Sequence, residues 1–324
     1  MGYAEAKTID TSFVPVIDIG GLRSEDPEIL KKVADDIRLA AETVGFFYVK
    51  NHGISQDLMA ETYALAQRFF GQDLEQKQEI GVNHVHRGFI HTGAAKMSDD
   101  AKADLKESFV WGLDVDETDE DYQAGRPLIG PNQWPQNMPE MQTLLNTYFD
   151  ECNKLGWALF KAFATSLSLD ADHFTKSISK PMTRCSLVYY PPQPESMGKD
   201  QFGVAPHTDF GCLTLLNQDP VGGLQVQDKN GDWVLAPPIE GTLVVNVGDL
   251  MARWTNDRFA STPHRVVNTS GKERISIAVF VDPNYEADMS PVVLDGDEPK
   301  YEQITCGDYL VWRLGKAFEY RKKN

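Results

Sequence analysis

The sequence predicts a mainly β chain with helices: a jelly-roll core supported by N-terminal and central helices. Three observations carry this. After Pro181, short β-favouring runs follow one another: "TRCSLVYY", "CLTLLNQD", "GLQVQD", "WVLAPP", "TLVVNVGD", "HRVVN" and "RISIAVFV". Turn residues stand between them in "PPQPESMG", "DKNGD", "IEG" and "NTSGKE", the spacing of an antiparallel sandwich or barrel. Before Pro181, long stretches place apolar residues at helical intervals. No break in composition separates the two parts, so the 324 residues read as a single unit. Within it, 1–180 is a helix-rich supporting region, 181–315 the jelly-roll core and 316–324 a C-terminal tail.

"VPVIDI" opens the ordered pattern as a short strand, with Val14, Val16 and Asp18 on one side. A helix follows, with Asp26 as N-cap, Pro27 at the first helical position and Gly45 as the stop. Its apolar stripe is Ile29, Val33, Ile37, Ala40 and Val44. "FFYVKNHG" is a second strand and "SQDLMAETYALAQRFF" a second helix. From Val82 to Pro135 periodicity is weak, and the segment reads as loops and short pieces. Its acidic run "DVDETDEDY" reads as a solvated face. A long helix then carries Met141, Leu145, Tyr148, Cys152, Leu155, Leu159, Ala162 and Ser166 on one stripe. Leu144, Phe149, Phe160 and Phe163 widen it, which marks a supporting helix with one face in the core.

Composition narrows the function. Hydrophobic residues at 41% and charged residues at 24% are ordinary for a soluble globular protein. A net charge of −17 argues against a nucleic-acid partner or an anionic membrane surface. The four cysteines (Cys152, Cys185, Cys212, Cys306) are scattered without a CxxC pair, as expected in a reducing cytosol. "MGYAEAKTID" lacks the basic-then-apolar order of a secretory leader, and Ala6 stands where a myristoylation signal wants Ser or Thr. A cytoplasmic protein with a small-molecule partner is the expectation; the oligomeric state is not legible.

The stretch "APHTDFGCLTLL" sets His207 and Asp209 two residues apart at the head of an apolar run. On extended backbone, residues i and i+2 point to the same face, so both can reach one ion. Of the other histidines, His264 in "STPHRVVN" begins a strand of the core, 264 − 209 = 55 residues beyond Asp209. Two histidines and one carboxylate leave positions open on a metal, the pattern of non-haem Fe(II) oxygenases. An HxD pair alone is more often solvated, and a structural or hydrolytic zinc site stays open on these ligands.

Ten residues after His264 comes Arg274, in "ERISIAVFV". Alternation puts Arg274, Ser276, Ala278 and Phe280 on one face. A buried guanidinium needs an anion and can grip a carboxylate with two parallel hydrogen bonds; a structural ion pair would satisfy it too. In a third strand Arg184, Ser186, Val188 and Tyr190 share a face. The Tyr190 phenol could join the same carboxylate, or the ring could simply pack in the sheet. A dicarboxylic keto acid fits the set, chelating the metal at one end and meeting Arg274 at the other.

With these residues the chain resembles the Fe(II)- and 2-oxoglutarate-dependent dioxygenase superfamily, in the branch of isopenicillin N synthase and the plant flavonoid and gibberellin oxidases. "VPVIDI" and "GFFYVKNHGIS" look like that family's N-terminal segment. "YYPPQP", "PHTDFGCLTLLNQD", "GLQVQ", "VVNVGDL", "WTNDRFASTPHRV" and "RISIAVFVDPN" follow its core in order. The resemblance implies a double-stranded β-helix fold, with His207, Asp209 and His264 as iron ligands. It implies Arg274 and Ser276, helped by Tyr190, as the grip on 2-oxoglutarate. Val188 stands where the family often has Asn, so one hydrogen bond to the cosubstrate must come from elsewhere or be absent. Asp209 argues against a halogenase, which lacks that carboxylate.

The implied reaction is oxidation of a small organic molecule by hydroxylation, desaturation or ring closure, with O2 as second cosubstrate, succinate and CO2 as products and ascorbate as a stimulant. The alternatives are an isopenicillin N synthase-like oxidase that does not use 2-oxoglutarate, and a noncatalytic metal- or ligand-sensing barrel. Substrate-pocket candidates are Phe210 beside Asp209, Phe280 on the Arg274 face, and Arg87, Phe109 and Trp111 in the weakly periodic segment.

Overall fold

The computed structural model describes residues 13–24, 26–94, 104–192, 202–268, 270–294 and 296–318. The N-terminal half supplies β1 (Val16–Asp18), α1 (Pro27–Thr43), β2 (Phe46–Lys50), α2 (Gln56–Phe70) and α3 (Leu74–Gln78). It continues with β3 (Gly88–Ile90), β4 (Glu107–Gly112), α4 (Glu120–Gln123) and α5 (Glu140–Ser166). Then come β5 (Arg184–Tyr190), β6 (Val204–His207), β7 (Leu213–Gln218), β8 (Leu224–Gln227), β9 (Trp233–Leu235) and β10 (Thr242–Val247). The chain ends with α6 (Asp249–Trp254), β11 (His264–Val266), β12 (Arg274–Val281) and α7 (Cys306–Ala317).

Two sheets face each other. The large one has the order β1-β2-β10-β7-β12-β5-β4-β3, and the small one β6-β11-β8-β9. Every pair is antiparallel except β1–β2. This is the jelly-roll core with supporting helices. α1 and α2 pack on α5, and α2 and α5 lie on the large sheet. Phe69, Phe109, Phe160, Phe163, Leu187 and Ile277 meet in that outer core. Between the sheets a smaller cluster joins Phe46, Tyr48, Val188, Tyr190 and Val244 to Val204, Leu224, Val226 and Val266.

The local signals act as expected at the start of α1. Asp26 Oδ1 accepts from the Glu28 N–H at 2.9 Å, and Pro27 opens the helix. Gly45 ends it at φ +71°, where a Cβ would run into the Ala260 carbonyl oxygen. The stripe begins later than its spacing suggested: Ile29 is 45% exposed, and burial starts at Val33. In α5, all eight residues of the main stripe are buried.

Two expectations need correction. The segment 82–135 is not only loops: it contains β3 and β4, and β4 pairs with β5 inside the large sheet. Its periodicity is weak because Ser108–Gly112 are all buried, so neither face of β4 is polar. The tail does not begin at 316 either, since α7 runs to Ala317 and Phe318 packs on the His86 ring at 4.8 Å. Lys322, Lys323 and most of "PPQPESMG" lie outside the described residues. Among the described residues, no helix is long and apolar enough to cross a membrane.

Candidate metal centre and active-site cavity

His207 ends β6 and His264 begins β11, and antiparallel register sets them directly opposite each other. Their ring centres are 4.3 Å apart. Asp209 lies just beyond β6, in the turn that crosses to β7 of the large sheet. Its Oδ1 is 3.7 Å from Nε2 of each histidine. One ligand atom from each of the three side chains falls within 4.8 Å of the others.

The remaining polar atoms of the triad are occupied by protein. His207 Nδ1 is 2.8 Å from the Ala205 carbonyl and His264 Nδ1 3.2 Å from that of Thr262. A carbonyl can only accept, so each Nδ1 carries the proton and each Nε2 presents a lone pair. Asp209 Oδ2 accepts from Thr214 Oγ1 at 2.5 Å and Asn246 Nδ2 at 2.8 Å. That leaves Oδ1 for the centre. Burial, reinforced by the charge of His264, pushes the His207 imidazolium down to about 3. Burial pulls Asp209 the other way, but both histidines and its two donors hold its carboxyl below the usual range. Two imidazole nitrogens and an ionised carboxylate oxygen thus converge, a donor set matched to a divalent cation.

A second polar feature lies on β12. Arg274 is fully buried. Its Nε donates to the Gly222 carbonyl, and its Nη1 donates to Ser276 Oγ at 3.2 Å. Its Nη2 has no hydrogen-bond partner. Among the described residues no carboxylate lies within 4 Å of this guanidinium, so the structural ion pair left open by the sequence is not formed there. Tyr190, its cross-strand neighbour, puts its ring centre 4.6 Å from the guanidinium. A buried orphan donor on a cation fits an incoming carboxylate. Gly222 lies just before β8, the strand on which Val226 pairs with His264.

The cavity beside the triad is lined by Phe210, Phe280, Arg184, Ser186, Val188, Ser108, Val110, Asp104, Lys106, His86, Leu314 and Phe318. Of the sequence's pocket candidates, Phe210 and Phe280 line this cavity, and Phe109, Trp111 and Arg87 do not. Phe109 and Trp111 point to the helix side of β4; Phe109 meets Phe69 ring to ring at 5.2 Å, and Trp111 Nε1 donates to the Leu145 carbonyl. The cavity receives their neighbours Ser108 and Val110, because alternate residues of a strand face opposite ways. Arg87 is buried and donates to the carbonyls of Val85 and Leu128; its neighbour His86 lines the cavity instead.

α7 closes one side. Thr305 caps it through the Asp308 N–H, and Leu314 and Phe318 reach the cavity. Arg313 lies 4.3 Å over the Phe210 ring and 2.5 Å from Asp249 Oδ2. That carboxylate also accepts from Thr208, between His207 and Asp209. The helix is thereby tied to the turn that carries Asp209. The sequence held a signal for it: Tyr309, Leu310, Leu314 and Ala317 repeat at helical spacing behind Thr305.

Comparison with known proteins agrees with this site. Residues 182–283 match the 2OG-Fe(II) oxygenase superfamily, and 14–137 match the non-haem dioxygenase in morphine synthesis N-terminal family. A probable iron/ascorbate oxidoreductase of Dictyostelium discoideum is 33% identical, with 99% of each chain covered. Homoarginine-6-hydroxylase of Oryza sativa subsp. japonica is 32% identical, over 94% of this chain and 97% of that one. A full-length protein of Neurospora crassa, solved in complex with alpha-KG, superposes with a TM-score of 0.84 at 32% identity, covering 93% of this chain and 95% of its own. The same Neurospora protein has also been solved with alpha-KG and thymine together. The chain therefore belongs to the 2OG-Fe(II) oxygenase superfamily, and it is an Fe(II)- and 2-oxoglutarate-dependent enzyme that oxidises a small organic molecule.

Proposed function

We propose that His207 and His264 through Nε2, and Asp209 through Oδ1, hold the Fe(II), and that Arg274 and Ser276 grip the distal carboxylate of 2-oxoglutarate. The observation that carries this reading is the occupancy of the polar atoms. In the triad, every atom not aimed at the common centre already has a protein partner. On Arg274, one buried donor has none. Tyr190 flanks the guanidinium with its ring.

Iron with bound 2-oxoglutarate supplies the oxidising chemistry, in which O2 and the keto acid are consumed, succinate and CO2 leave, and a substrate C–H bond is oxidised. The chain's own residues do the rest. Thr214 and Asn246 fix Asp209 as a one-oxygen donor. The carbonyls of Ala205 and Thr262 hold both imidazoles in the Nδ1–H form. Three protein ligands leave positions open to the cosubstrate and O2. Phe210, Phe280, Leu314 and Phe318 bound the substrate space and exclude water from it. Four buried free thiols suit a reducing compartment, and we infer a cytosolic location.

The test is anaerobic titration of the purified protein with Fe(II) and then 2-oxoglutarate, followed by succinate measurement in air with ascorbate. One iron and one 2-oxoglutarate per chain are expected. His207→Ala should lose the iron, and Arg274→Gln should keep the iron but bind 2-oxoglutarate weakly. Iron binding of wild-type strength in His207→Ala would sink the ligand assignment.

A further inference from the structure

Residues 219–223, "DPVGG", carry the chain from β7 of the large sheet to β8 of the small one. Asp219 opens this turn and is buried, with 4% exposed. Its Oδ1 accepts from the Val221 N–H at 3.0 Å, inside the turn. Its Oδ2 accepts from the Ile275 N–H at 2.7 Å, on β12. The Asp219 N–H donates back to the Ile275 carbonyl at 3.3 Å, and the Gly222 N–H closes on the Asp219 carbonyl at 3.3 Å. Ile275 is the residue after Arg274, and the Gly222 carbonyl accepts from Arg274 Nε. One carboxylate therefore fixes both the backbone that carries Arg274 and the carbonyl that orients its side chain.

A guanidinium is flat, so two fixed points set its plane and the direction of the third nitrogen. On Arg274 those points are Nε against the Gly222 carbonyl and Nη1 against Ser276 Oγ. Ser276 is on the same strand as Arg274, but Gly222 is 274 − 222 = 52 residues away in sequence and is held there by its turn. Gly222 takes φ +74°, which glycine adopts without a Cβ penalty, so its own backbone preference does not fix the carbonyl. The two bonds of the Asp219 carboxylate, one within the turn and one to β12, supply that constraint.

We propose that Asp219 is a positioning residue for the cosubstrate: it aims the Arg274 guanidinium at the distal carboxylate of 2-oxoglutarate and so sets the preference for a dicarboxylic keto acid. It touches neither the metal ligands nor the cosubstrate, and it acts through the Ile275 N–H and the Gly222 carbonyl. The proposal rests on the assignment of Arg274 as the cosubstrate grip.

The experiment titrates the Fe(II)-loaded protein anaerobically, by calorimetry, with 2-oxoglutarate and with 2-oxovalerate, which has the same chain length but a methyl group for the distal carboxylate. Wild type should prefer 2-oxoglutarate by about a hundredfold, and Arg274→Gln should erase most of that preference. Asp219→Asn offers one acceptor where the carboxylate offers two. It should weaken 2-oxoglutarate about tenfold, while iron and 2-oxovalerate affinities stay within about twofold. Asp219→Ser is the milder change, since a hydroxyl can still accept from the Val221 N–H, and it should also lower the preference because the Ile275 N–H is released. Added to Arg274→Gln, Asp219→Asn should change 2-oxoglutarate affinity by less than about twofold, because the residue acts through Arg274. A merely structural turn residue would weaken both keto acids alike. That result overturns the proposal, as does an unchanged preference in both Asp219 variants or a full tenfold loss on top of Arg274→Gln. A wild type without preference for 2-oxoglutarate, or an Arg274→Gln variant that keeps it, instead overturns the assignment of Arg274.

Discussion

The large sheet buries its outer face under helices, whereas the small sheet is held through its inner face, by Val204, Leu224, Val226 and Val266 against the large sheet. Yet the small sheet carries both histidines of the candidate metal centre, on β6 and β11. Asp209 hangs between the sheets and takes its hydrogen bonds from β7 and β10 of the large one. Arg274, the proposed cosubstrate grip, lies on β12 of the large sheet. Metal and cosubstrate would thus fasten the less supported sheet to the better supported one. Stability and chemistry should separate along that division.

The sharpest way to break this view is a pair of substitutions. His264→Ala should cut succinate formation about a thousandfold or more, since the metal contributes several kcal/mol to the transition state. In urea, metal-free His264→Ala should unfold close to metal-free wild type. It should lack the stabilisation that wild type gains from iron, about 2.7 kcal/mol at a hundred times its Kd. Phe69→Ala, in the helix–sheet core, should do the reverse. It removes a fully buried ring that meets Phe70, Phe89 and Phe109, at a cost of about 3–5 kcal/mol. Metal affinity measured well below its unfolding transition should hardly move. If Phe69→Ala weakens metal binding as much as His264→Ala does, stability and site are not separable.

Arg274→Gln tests the bridge from the large-sheet side. Truncating one partner of a buried charge pair costs about 2–4 kcal/mol, so 2-oxoglutarate affinity should fall by about a hundredfold. Iron affinity, read by anaerobic titration, should stay put. An equal loss of both would mean that the two ends of the site are one structural unit.

Asp282, just past β12, gives a pH test of the large sheet. Burial raises its carboxyl to about 6, against the pull of Arg184. Its unfolded value is 3.8. Below pH 4 both states are protonated and the group contributes no difference. Between pH 4 and 6 the unfolded chain ionises first, so stability falls as pH rises, by about 3 kcal/mol in all, and stays lower above pH 6. Urea unfolding of wild type and Asp282→Asn at pH 4 and 7.5 should show this as a difference in slope. Parallel curves would show that Asp282 ionises freely in the folded state.

How legible this was in the sequence differs between the two sheets. His207, His264, Arg274 and Ser276 could be read because each sits on a strand, and Asp209 because it follows His207 by two residues; their residue types have few other uses together. The strand order could not be read: β4 is buried on both faces, so nothing in "ESFVWG" says that Ser108 and Val110, not Phe109 and Trp111, front the cavity. His86 was hidden by a turn that holds it at φ +63°, a conformation that apolar periodicity does not report. α7 was missed for another reason. Leu314 and Phe318 look like any amphipathic helix end, and only the contacts of Arg313 with Phe210 and Asp249 give them a place.

The smallest expected effect probes the joint between the sheets. Asn246 on β10 donates to Asp209 Oδ2, as does Thr214 on β7. Neither side chain reaches the triad's common centre, so neither should bind metal itself. Partners of this kind typically tune metal affinity or activity by about 10–100-fold. Because Asp209 keeps one donor when the other is lost, Asn246→Ala and Thr214→Val should each weaken iron binding near the low end, about tenfold. The double variant leaves Oδ2 without either donor and should lose more than the sum of the two free-energy changes, since the residues share one acceptor. Anaerobic iron titration of the four proteins forms a double-mutant cycle. Strict additivity would mean that the two strands hold Asp209 independently, and that the large sheet positions the ligand by packing of the turn, not through these two hydrogen bonds.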